Sequence, residues 1–122
     1  DGVGTLVAHG RGHVELTGRG WAKFVMHGDI TVTIGDDTKV IIRALDQDPE
    51  VVTDATTISL DDFTGVIVVR GARFHVSAKG RFRRIKAAGT GVAFLQGRGW
   101  YRATGGYFGT WTKPGLRVTY SL

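Results

Sequence analysis

The sequence predicts an all-β fold, a single Gly-rich β-sandwich or barrel with an internal repeat, with a short β-solenoid as the alternative. Three observations carry this: near-continuous alternation of period two, punctuation by Gly-x-Gly, and the want of any sustained helical periodicity. From Leu6 onward the even positions hold Leu6, Ala8, Val14, Leu16, Ala22, Phe24, Met26, Ile30, Val32 and Ile34, with glycine at 10, 12, 18, 20 and 28. The odd positions between them hold His9, Arg11, His13, Glu15, Arg19, Lys23, His27 and Asp29. One face is therefore core, and the other meets water or a partner.

In chain order, strands are expected near 4–9, 12–17, 21–27 and 29–34, where apolar and polar residues alternate between glycines. A two-residue hairpin would reverse the inward parity, yet the parity persists across each Gly-x-Gly. The glycines thus fit bulged loops, sharp bends in long coiled strands, or solenoid corners. The stretch 36–62 has no glycine and is acidic; strands near 38–45 and 51–60 flank a DQDPE turn at Asp46–Glu50. It is expected as an insertion or protruding element of one domain spanning 1–122. The remaining strands are placed near 65–70, 73–79, 81–87, 91–96, 99–104, 107–112 and 116–121.

Residues 8–21 and 87–100 match at eight of fourteen positions without a gap, and both copies end in Gly-Arg-Gly-Trp. Internal duplication follows, and some glycines recur at about 18 residues, a spacing suited to a hairpin unit or one solenoid turn.

Charge is segregated along the chain. The first 35 residues are neutral, 36–62 sum to −6, and the last 60 residues carry eleven Lys and Arg with no acid. Such asymmetry invites either a polyanion or head-to-tail contact with a second copy. Cysteine is absent, excluding disulfides and thiolate metal sites. Asparagine is also absent and glutamine occurs only at 47 and 96, a depletion that fits a hot habitat. No apolar run of about 18 residues exists, so no membrane span is expected. A start at Asp1 without Met fits a mature secreted chain, and an extracellular or cell-surface location is expected.

The four histidines, at 9, 13, 27 and 75, are the only acid/base candidates near neutral pH. His9 and His13 lie about 13 Å apart along an extended strand, too far to share one ion. No nucleophile, base and orienting group fall into a catalytic pattern, so a non-enzymatic protein is expected. The acids offer oxygen ligands, which makes calcium the one cofactor considered, although DQDPE lacks EF-hand spacing.

The basic half interleaves cations with rings. Arg81, Arg83, Arg84 and Lys86 precede Arg98, Trp100 and Arg102, which share one parity, and Trp21 occupies the matching place in the first repeat. Cations and stacking rings on a β-face suit single-stranded nucleic acid, an acidic polysaccharide, or a subunit interface.

The pattern Gly-x-Gly, five residues, Gly-x-Gly and an aromatic, at 10–21 and again at 89–100, resembles the Gly-punctuated β-repeats of secreted bacterial and archaeal proteins, such as the head domain of putative autotransporter adhesins. The resemblance spans the two Gly-rich arms and implies a surface-exposed, solenoidal protein. The leading expectation is a secreted structural protein that self-associates head to tail, as a filament or surface-layer subunit. In it Asp46, Asp48, Glu50, Asp61 and Asp62 of one copy meet Arg81, Arg83, Arg84, Arg98 or Arg102 of the next. The alternative is a polyanion-binding module.

Overall fold

The computed structural model describes residues 4–35, 37–45, 47–52, 57–103 and 107–121. Among them there is no helix. Six strands, β1 (Thr5–Ile34), β2 (Thr38–Ala44), β3 (Glu50–Val52), β4 (Thr57–Ala103), β5 (Tyr107–Thr110) and β6 (Leu116–Tyr120), make one antiparallel sheet. The all-β expectation holds. The closed barrel does not: the sheet order is β1-β4-β2-β3, with β5 and β6 added to β4, so β3 and the C-terminal strands stay on edges instead of pairing with each other.

The many short strands expected within 4–34 and 65–103 run together, because the glycines bend the chain without reversing it. β1 has β4 on both sides. Gly12 lies between Gly80 and Gly97, Glu15 between Ser77 and Phe94, and Thr31 between Ser59 and Ser77. The two β4 positions that flank one β1 residue are about 17 residues apart, as Gly80 and Gly97 are. β1 and β4 are thus a two-stranded ribbon wound upon itself, with Gly12, Gly20 and Gly28 marking successive half turns.

The two repeat copies are neighbours in this coil. Gly10 faces Gly99, Gly12 faces Gly97, Gly18 faces Gly91 and Gly20 faces Gly89, so each Gly-x-Gly of one copy meets a Gly-x-Gly of the other in antiparallel register. The pairing explains the residue type. At Gly12, with φ of 140°, a Cβ would fall on the carbonyl of Gln96 in the facing strand.

Three bulges adjust the winding. The ladder gains one β4 residue opposite Asp29, Arg19 and His9 in turn, at Asp61–Asp62, Ala72–Arg73 and Arg83–Arg84. Both residues of each bulge are exposed. Such insertions increase local twist and let a strand keep its core face through a corner.

The even residues of β1 form the core as expected: Leu6, Val14, Leu16, Phe24, Ile30 and Val32 are buried. They pack with Ile67, Val69, Phe74, Val76, Phe82, Ile85 and Leu95 of β4. Tyr120 closes one end with its hydroxyl against the backbone of Gly91, and burial pushes that hydroxyl up to about 12. The segment 36–62, expected as an insertion or protruding element, supplies β2 and β3. β2 pairs with Gly65–Gly71 of β4 and buries Val40 and Ile42, so it extends the sheet.

Candidate functional site

The winding sets residues remote in sequence into transverse rows, one residue per strand and about 5 Å between strands. One outward row runs Arg98, Arg11, Arg81, His27, Thr64. The next outward row runs Trp100, His9, the Arg83–Arg84 bulge, Val25, Val66. Between them lies a row of Gly99, Gly10, Phe82, Met26 and Gly65. Along these rows, with His9, Arg83, Val25 and Val66 on one wall, runs a groove of about 720 Å³, floored by the backbone of the middle row, whose Phe82 and Met26 side chains turn into the core, and reaching Leu45, which is 66% exposed. It crosses six strands, from the Arg98 stretch of β4 to the end of β2, and is therefore roughly 24 Å long.

Arg98, Arg11 and Arg81 are directly opposed across adjacent strands, all exposed, and no ion pair among the described residues engages them. Like charges in such register oppose folding by about 0.8 kcal/mol per pair at 5 Å in a water-like dielectric. The bulge adds Arg83 and Arg84 on the same side, where a regular strand would turn one of the two inward. Beyond it, Lys86 sits between Val7 and Lys23, and Arg102 between Val7 and Phe108, the latter 80% exposed. Trp100, 45% exposed, stacks on His9 with ring centroids 6.0 Å apart and planes within 9°.

The cations and Trp100 singled out in the sequence thus share one surface. Trp21 does not join them: it is half-buried between Arg70 and Ala88, four residues along β1 from Val25. Lys79, two residues before Arg81 on the same face of β4, also lines this surface, and only the register brings Arg11 between Arg81 and Arg98. Of the acids, Asp48 and Glu50 are exposed on the β2–β3 hairpin, Asp61 and Asp62 form a bulge beside Asp29, and Asp46 lies outside the described residues. Asp29 accepts the backbone N–H of Asp62 at 2.9 Å. Among the described residues no group of three or more His, Asp or Glu side chains is placed to hold a metal ion.

Comparison with known proteins adds no relative. Neither protein families, nor curated proteins, nor solved structures match this chain.

A second polar cluster lies on the neighbouring rows. The Glu15 carboxylate accepts a hydrogen bond from His13 at 2.9 Å and faces His75 at 3.5 Å. The His13 bond holds the Glu15 carboxyl below its ordinary 4.5, against a desolvation that raises it, and the charges of His13 and His75 act in the same sense as the bond. A depressed folded-state value means that the stabilisation is complete above the unfolded value of 4.5 and is lost as pH falls through the folded one. Glu15→Gln is accordingly expected to flatten the acid limb of a urea-midpoint profile by lowering its plateau above the carboxylate range, while meeting the wild type at the acid end, where Glu15 is already protonated. An unchanged acid limb would remove Glu15 from the cause.

Proposed function

We propose that this chain is a non-enzymatic β-module that binds a polyanion along its basic groove. The observation that carries the reading is the register of Arg98, Arg11 and Arg81, three guanidinium groups on adjacent strands beside a cleft, with no ion-pair partner among the described residues. The repulsion within that row is relieved when phosphate, sulfate or carboxylate groups lie on it, and guanidinium matches such anions bidentately. Wild-type protein is expected to bind both a short single-stranded oligonucleotide and a heparin fragment, with affinity falling steeply as salt rises. Asp48→Ser with Glu50→Ser should leave that binding intact. Failure to bind either polymer at low salt would overturn the reading.

A second reading, head-to-tail self-association into a filament or surface layer, draws support from the order of strands. The acidic β2–β3 hairpin occupies one edge of the sheet, while β5, beside Trp100 and Arg102, occupies another. Opposite charge at open edges favours axial stacking of copies. Light scattering at low and high salt checks it: growth that Asp48→Ser with Glu50→Ser abolishes is the expected sign, and a monomer at every salt and concentration sinks it.

A further inference from the structure

We infer that the polyanion taken by this groove is single-stranded nucleic acid, with its phosphates on the Arg98–Arg11–Arg81 wall and its bases on the opposite wall. The inference rests on the polyanion reading and narrows it. The two walls differ in chemistry. One presents guanidinium groups for three consecutive strands; the other presents His9, on which Trp100 stacks, and then, past the Arg83–Arg84 bulge, Val25 and Val66. The floor between them is strand backbone, since Phe82 and Met26 turn their side chains into the core.

Three features select the ligand. A cleft that crosses six strands, roughly 24 Å by strand spacing, suits a segment of linear polymer better than a compact metabolite. An acidic polysaccharide carries hydroxyls along its length and meets no polar side chain at Val25 and Val66, whereas a nucleobase presents a flat π-face to rings and aliphatic side chains alike. A double helix carries its phosphates outside and its bases stacked within, so it has nothing to lay on the ring-bearing wall. With few directed polar groups at the floor, the site reads no particular base.

The test compares a fluorescein-labelled oligothymidylate with an abasic oligomer of the same length, a heparin fragment of similar charge, and phosphatidylglycerol vesicles. The base-bearing strand is expected to bind roughly tenfold or more tightly than the abasic one, since each stacked base contributes about 1–3 kcal/mol. Trp100→Ala should bring the two to the same affinity with the salt dependence unchanged, while Arg11→Ser weakens both and reduces that dependence. Thermal melting of each variant verifies folding, and because Trp100 is an exposed ring, its fluorescence in the wild type gives a second readout through quenching by the base-bearing strand alone. Equal binding of the base-bearing and abasic strands, or preference for heparin, overturns the base wall and leaves the polyanion reading standing. Binding to vesicles alone, or to nothing, overturns both.

Discussion

Gly12→Val is expected to leave no cooperatively folding protein. Gly12 has a φ of 140°, where a β-branched residue is strained, and its missing Cβ would sit on the Gln96 carbonyl of the adjacent strand. The strand cannot retreat, because Gly12 also has Gly80 as its neighbour on the other side. Strain at such a φ costs about 1–3 kcal/mol, and parting two hydrogen-bonded strands adds more, so a loss of at least about 4 kcal/mol is expected against a typical domain stability of about 5–15 kcal/mol. Gly35→Ala is the contrast. Its added Cβ would meet the Arg73 side chain at 3.4 Å and nothing nearer, and the change is expected to shift stability by no more than about 1 kcal/mol. Urea unfolding of the two variants decides the matter; equal stability would mean that the corners tolerate side chains and that the coil is looser than the register implies.

Replacing Arg98, Arg11 and Arg81 together by serine is expected to move stability and binding in opposite directions. The fold should gain on the order of 1 kcal/mol, because two like-charged cross-strand pairs vanish from an exposed row. Oligonucleotide affinity should fall roughly 100-fold, and the slope of log affinity against log salt should decrease in magnitude by about 2, from three lost phosphate contacts on a single strand. Opposed changes of this kind mark residues kept for a ligand at the expense of the free protein. Unchanged binding, with any effect on stability, would place the ligand elsewhere.

Much of this molecule is visible in the alternation of its residues. The even positions from Leu6 to Ile34 that carry side chains are the buried ones, and the Gly-x-Gly elements are bends in continuous strands, one of the forms that the unbroken parity allows. The parity of Arg98, Trp100 and Arg102 likewise places them outward. Register is what the sequence withholds. Nothing local states that Arg11 lies between Arg81 and Arg98, because that depends on three single-residue bulges, each of which shifts the pairing of everything beyond it. Trp21 shows the same limit: its motif matches that of Trp100, but Trp100 borders β5 and Trp21 is enclosed between two lengths of β4. The duplication itself held an unused clue, since copies that carry Gly-x-Gly at both ends place glycine opposite glycine when paired antiparallel.

The wound ribbon also governs when the chain can fold. Thr33 pairs with Thr57, its nearest partner along the chain, but Thr5 waits for Ala88 and Leu6 for Ala103. A ribosome therefore releases all of β1 long before the residues that flank it exist, and only the local β2–β3 hairpin can pair before β4 emerges. Contacts so distant along the chain place this fold among the slow folders, in milliseconds to seconds, with the N-terminal strand the last to be secured. During that interval the apolar row beginning at Leu6 is open to other nascent chains, and refolding from dilute solution is expected to give the higher yield.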